Sequence, residues 1–206
     1  MTSMITANGS KTTIKHVLSA GSNIDHRLIK DYKELKKIVD VFKKMGYSVV
    51  LTQGVYDLIH GGHAAYLEAA RSYGDVLIVG VDSDELTRKR KGPERPIVPQ
   101  EERLKMLVHL RSVDVVTLRE VHHNIGDLIR LVEPDVLVVS KSTTDFSSRM
   151  AKEYQKFCGK IVTLPPQGTT STSARIRNLT IEGAEKLAHE MNRIIQEFLR
   201  KIRKAK

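Results

Sequence analysis

His60 and His63 stand three residues apart, separated only by Gly61 and Gly62, in the stretch GVYDLIHGGHAAYLEAARSYGD (54–75). Imidazoles at that spacing serve as metal ligands, as buried packing residues, or as hydrogen-bond donors to an anion. Packing explains a glycine pair between them poorly. Asp57 would complete a three-ligand metal set with an open position, yet no second histidine or cysteine cluster supports one. His122 and His123 are adjacent and cannot easily face one site. An anion fits better. A helix opening near Gly62 presents unpaired N–H groups and the positive end of its dipole, and His60 and His63 can add imidazole donors to them. Gly54 directly after a strand lets backbone come close to a ligand, and Gly61 and Gly62 keep side chains out of the space before the helix. The pattern G-x-G-x-x-G is missing after that strand, which argues against NAD.

Two further stretches carry anion-binding chemistry. Arg88 to Arg95 holds five basic residues against Glu94 and is expected to be a loop; Lys89, Arg90 and Lys91 are its candidates. TSTSARIR (170–177) offers Thr172, Ser173 and Arg175 at the start of another helix, where hydroxyls either cap the helix or cradle phosphate.

These residues need a scaffold, and the hydrophobic periodicity supplies one. Short β-rich runs at 48–52, 75–81, 113–118, 135–140 and 160–164 alternate with helical patterns near 62–73, 99–110, 125–132 and 147–157. That alternation predicts right-handed crossovers and a parallel, doubly covered sheet. The fold class is α/β, a Rossmann-like five-stranded sheet with helices on both faces, an N-terminal extension and a C-terminal helix. An amphipathic helix in DYKELKKIVDVFKKMG precedes the first strand, with Asp31 and Glu34 spaced as a capping box and Gly46 as stop. Residues 1–26 read as a polar tail without assigned fold and 27–180 as the α/β body. Residues 181–206 read as an amphipathic helix with a basic end, either docked on the domain, exchanged in a dimer, or facing an anionic partner.

The 206 residues, 40% of them hydrophobic, suffice for one substantial core. The lone Cys158 cannot form an internal disulfide, and no signal-peptide pattern or apolar run of spanning length is present. A cytoplasmic location is expected. Of the net +10, nearly all sits in 88–95 and in 193–206, where six basic residues oppose Glu197. With only 5% aromatics there is no stacking platform for nucleic acid.

GVYDLIHGGH resembles the G-x-F-D-x-x-H-x-G-H signature of the cytidylyltransferase-like nucleotidyltransferases, with Tyr56 where phenylalanine is usual. DSDELTRKRKGPERPIVPQEERLKMLVHLRSVDVV (82–116) resembles the middle of the adenylyltransferase domain that makes ADP-heptose, and TSTSARIR resembles a late motif of the superfamily. The resemblance implies transfer of a nucleotidyl group from an NTP to a small phosphorylated acceptor such as a sugar 1-phosphate, with release of pyrophosphate and with Mg²⁺ as cofactor. It implies that His60 and His63 donate to the triphosphate and the transition state. Gly54, Val55, Tyr56, Asp57 and Gly62 would shape the nucleotide pocket, with Asp57 near the metal. Lys91, with Lys89 and Arg90, would neutralise pyrophosphate or acceptor, and Thr172, Ser173 and Arg175 would meet the β- and γ-phosphates. Arg103 is a lesser candidate. Arg111 to Asp114 is similar to a stretch that forms dimer contacts in related enzymes, so a homodimer is expected. PPQGTT (165–170) lacks the arginine that glycerol-phosphate cytidylyltransferases carry there, so ATP is favoured over CTP. SKSTTDF (140–146) lacks the glycine pair of heptose enzymes, which leaves other acceptors open, FMN among them. A nucleotide- or nucleic-acid-binding regulatory protein is the alternative from another class.

Overall fold

The computed structural model describes residues 5–7, 10–12, 17–19, 23–141, 146–167 and 172–204, with side chains in 17–19, 23–141, 146–167 and 176–195. The stretch read as a polar tail without an assigned fold contains a short antiparallel hairpin, β1 (Ile5–Ala7) and β2 (Ser10–Thr12). It also contains Val17, buried in the core, and α1 (Ile24–Arg27), whose first turn is closed by the Asn23 side chain. Its apolar residues recur with no sustained helical or strand period, so periodicity could not find it.

Helix α2 (Tyr32–Lys44) begins where Asp31 accepts a hydrogen bond from the Glu34 N–H. It buries Leu35, Ile38, Val39 and Phe42, and it ends before Gly46, whose φ of 81° favours glycine. The five core strands follow: β3 (Val49–Gly54), β4 (Val76–Asp82), β5 (Val115–Arg119), β6 (Val136–Ser140) and β7 (Lys160–Leu164). All four pairings are parallel, in the order β5-β4-β3-β6-β7. Between them run α3 (Gly61–Arg71), α4 (Asp84–Lys91), α5 (Gln100–Val108), α6 (Asp127–Val132) and α7 (Ser148–Tyr154). The near-continuous burial of β3, β4 and β5 is the mark of a sheet covered on both faces.

Two apolar layers flank the sheet. One packs α2 and α6 against Val49, Leu51, Val76, Ile78 and Val115; the other packs α3 and α5 against Val50, Leu77, Val79, Val81 and Val116. The N-terminal segment closes one edge, because Leu28 forms a parallel bridge with Val116 and the Ile29 N–H donates to Val116 O at 2.9 Å.

Strand order reverses between β3 and β6, which is where such sheets place ligands beyond the strands' carboxyl ends. Here the crevice has a visible origin. β3 pairs with β4 along its whole length, Val49 to Gly54, but with β6 only at Val50 and Leu51. Tyr66 from α3 enters this gap. Its hydroxyl hydrogen-bonds Thr52 Oγ1 at 2.8 Å and donates to Val138 O at 3.3 Å.

The chain divides into two compact units, Met1–Thr169 and Thr170–Lys206. The second is α8 (Thr172–Lys204), which begins earlier than the apolar stripe alone suggests. Leu187, Met191, Ile194 and Ile195 are exposed on it. Among the described residues no helix is long and apolar enough to cross a membrane.

Candidate active site

The loop 55–60 carries β3 into α3, and its backbone is held in an unusual shape. Tyr56 and Leu58 have φ of 54° and 46°, left-handed conformations that non-glycine residues adopt only when their surroundings impose them. Two anchors impose them. The Tyr56 side chain is buried against α3 and the sheet. Its ring lies over Gly54, where an added Cβ would sit 3.2 Å from Tyr56 Cε2. Gly54 therefore makes room for Tyr56, a different reason from the ligand approach expected of it. The second anchor is Asp57, 2% exposed, whose Oδ2 accepts from Arg95 Nε at 2.8 Å and the Ile97 N–H at 3.0 Å. Its Oδ1 accepts from the Val98 N–H at 2.9 Å.

His60 is the N-cap of α3: its Nδ1 accepts from the Gly62 N–H at 3.1 Å. That bond fixes the neutral tautomer, with the proton on Nε2. His63, one turn on, has its ring centroid 4.2 Å from that of His60 and 5.7 Å from that of Tyr56, which meets it edge-on. His63 Nδ1 is buried and has no hydrogen-bond partner among the described residues. Burial, reinforced by neighbouring His60 and opposed by Asp57, lowers the His63 pKa to about 4. At neutral pH His63 is thus an uncharged imidazole. A Cβ at Gly61 would meet nothing within 4 Å, so the space beside the pair is open.

The basic segment differs from the loop expected. Residues 84–91 form α4, capped by Ser83, which accepts from the Leu86 N–H at 3.1 Å. Acidic Asp84 and Glu85 open this helix and Arg88 to Lys91 close it, both favourable to its dipole. Leu86 and Thr87 supply its buried side. Lys89 and Lys91 are exposed on its last turn. Arg90 faces inward and pairs with Asp82, whose other oxygen accepts from Arg119 Nη1 at 2.7 Å. Its neighbour positions suggested a phosphate contact; the buried carboxylate gives it a structural partner instead.

Thr172, Ser173 and Arg175 open α8, as expected of a helix start, but their side chains lie outside the described residues. The same holds for Asp145, whereas Lys141 is exposed at the end of β6.

The profile of the cytidylyltransferase-like family matches residues 51–179, from β3 into α8. The chain belongs to that family of nucleotidyltransferases. Over 110 residues it is 44% identical to the bifunctional protein HldE of Aliarcobacter butzleri (strain RM4018), covering 53% of this chain and 23% of that one. It spans roughly a quarter of the length of such curated relatives. Among solved structures, a lipopolysaccharide core biosynthesis protein from Thermoplasma volcanium GSS1 is 27% identical, with a TM-score of 0.51 over 58% of this chain and 97% of that one. The pantoate-beta-alanine ligase of Francisella tularensis shares the fold at 17% identity, with a TM-score of 0.55 over 78% and 77% of the two chains.

For a cytidylyltransferase-like chain, the metal is the part that the residues supply least. Among the described residues no group of three or more His, Cys, Asp or Glu could hold a metal ion. Asp57, expected to be the metal ligand, instead gives both carboxylate oxygens to the 95–98 segment. Mg²⁺ in nucleotide sites is held by one or two carboxylates together with the substrate's phosphates, so among the described residues no magnesium site is preformed by protein groups alone.

Sequence reasoning missed Arg95 and underweighted Arg103. Arg103 shares a helix face with Leu104, Leu107 and Val108, all buried. A charged residue inside an apolar stripe is the signal that could have found it.

Proposed function

We propose that this chain transfers a nucleotidyl group from an NTP, ATP in preference to CTP, to a small phosphorylated acceptor such as a sugar 1-phosphate, releasing pyrophosphate. The observation that carries the reading is the His60–His63 pair at the start of α3, one Nδ1 committed to backbone and the other buried without a partner. A buried polar atom left unpaired is costly, and a ligand acceptor or donor removes the cost.

In this reading an oxygen of the acceptor phosphate attacks the α-phosphorus. The new P–O bond forms as the bond to the β-phosphate bridging oxygen breaks, and pyrophosphate leaves with the electron pair. A phosphate monoester is already largely ionised at neutral pH, its second pKa being about 6, so no strong general base is required. The chain's part is positioning and charge stabilisation. His60 Nε2–H and the neutral His63 donate to phosphate oxygens, and the α3 N-terminus adds its dipole. Lys89 and Lys91, exposed on the last turn of α4, neutralise pyrophosphate or acceptor. The resemblance of TSTSARIR to the late superfamily motif, and no geometry, is the ground for assigning the β- and γ-phosphates to Thr172, Ser173 and Arg175. We assign this work to residues 27–180, acting as a homodimer, on the strength of the resemblance over 82–116.

The test is pyrophosphate release from each of the four NTPs against sugar, polyol and flavin phosphates, with Mg²⁺ supplied. Turnover with one NTP and one phosphorylated acceptor is expected. Absence of pyrophosphate across the panel, with tight NTP binding by calorimetry, would make the chain a nucleotide sensor instead.

A further inference from the structure

Arg103 is 0% exposed and is the largest fully buried side chain among the described residues, so it cannot touch a substrate. Its guanidinium nonetheless reaches three separate segments around the site. Nε donates to Val98 O at 2.9 Å, Nη1 donates to Val55 O in the histidine loop, and Nη2 pairs with Asp84 at the start of α4 at 2.7 Å. Asp84 is tied a second time, its N–H donating to Gln100 Oε1 at 2.9 Å. Val98 is held from both sides, its C=O by Arg103 and its N–H by Asp57.

We propose that Arg103 and Asp57 are positioning residues that lock the histidine loop, the 95–98 segment and the lysine-bearing α4 into one frame. The inference rests on the transfer reading for its kinetic consequence but not for its structural one. The logic is geometric. Arg103 bonds Val55, and Asp57, two residues later, bonds Ile97 and Val98; the loop that presents His60 is thereby stapled to the segment that follows α4. Arg103 also bonds the residue that opens α4, so Lys89 and Lys91 belong to the same unit. A planar fork with donors in three directions is needed, which lysine's single ammonium cannot replace. Full burial of a cation is tolerated only when it is paired and hydrogen-bonded. Each leg of Arg103 satisfies that demand with a group flanking the site.

The experiment compares the full-length protein with Arg103→Lys, Asp57→Asn and their double variant. If Arg103→Lys folds poorly, Asp84→Ala, which removes one partly exposed leg, replaces it. Amide hydrogen exchange should rise in 54–63 and 95–98 together in every variant while β6 and β7 stay protected. Turnover should fall about tenfold or more with KM for NTP changed by less than about threefold, and the double variant should be no worse than the poorer single one. Exchange rising in only one of the two segments would overturn the frame, as would losses that multiply in the double variant. If the wild-type chain shows no turnover with any NTP, the transfer reading fails while the exchange measurement still decides the frame.

Discussion

His60 and His63 place their rings 4.2 Å apart yet stand in opposite hydrogen-bonding states: His60 Nδ1 accepts from the Gly62 N–H, and His63 Nδ1 has no partner among the described residues. One imidazole shapes the helix start through its Nδ1; the other carries a buried Nδ1 that a ligand group would satisfy. Substitution should separate the two roles. His63→Ala is expected to lower kcat by about two orders of magnitude or more, with the thermal midpoint little changed, as read by pyrophosphate release beside calorimetry. His60→Ala should lose activity and also loosen the first turn of α3, visible as faster exchange of the Gly62 amide.

The neutral His63 carries a stability signature. Its folded pKa is about 4 against 6.5 for an ordinary histidine, so between those values the unfolded chain holds the extra proton. Stability must therefore fall as pH drops from about 6.5 towards 4. Urea unfolding across that window should show a shallower pH dependence for His63→Gln than for the wild type. Equal slopes would show that His63 is not held neutral.

Asp82 offers a contrast between a buried and a partly exposed partner. Asp82→Ala strips Arg119, 3% exposed in its side chain, of a carboxylate in the core and should cost about 3–5 kcal/mol in denaturant unfolding. Arg90 keeps 21% of its side chain in water, so Arg90→Ala should cost well under half of that. Lys91→Ala should leave stability unchanged and lower kcat/KM for NTP by about tenfold or more. If Arg90→Ala alone abolished turnover at wild-type stability, the division between a structural arginine and functional lysines would fall.

The hydroxyl of Tyr66 bridges β3 and β6 beyond the point where their ladder stops. Tyr66→Phe keeps the ring and leaves Thr52 and Val138 short of a bond inside the core. A loss of about 1–2 kcal/mol is expected from the urea midpoint, with the m-value unchanged. Burial pushes the Tyr66 phenol up to about 12, so this bridge should be insensitive to pH through the neutral range.

The five strands and the helix pattern were legible because each strand is a short β-rich run, and strands such as Val76–Asp82, buried throughout, leave little ambiguity; the order β5-β4-β3-β6-β7 has no local signal and is not legible in the sequence. The signature loop was equally readable from its histidines and glycines. What escaped notice depends on long-range pairing. Nothing local in GPERPIV tells that Arg95 bonds a carboxylate 38 positions earlier, or that Arg90 turns inward while Lys89 and Lys91 face out. The basic run reads as one loop because charge dominates it, although Leu86 and Thr87 supply just enough buried surface for a helix. The N-terminal hairpin, with three residues in each strand, is too short for any periodicity to register.

The bridge from Leu28 to Val116 covers the open side of β5, whose residues Val115 to Arg119 are all buried. Without residues 23–30 that strand would present bare N–H and C=O groups beside an apolar surface, the template on which chains add to one another. A version trimmed to the family match at 51–179 would therefore be expected to precipitate or form filaments before its chemistry could be assayed. The segment ahead of the family match thus occupies, at Val116, the sheet edge on which a further strand would otherwise be added.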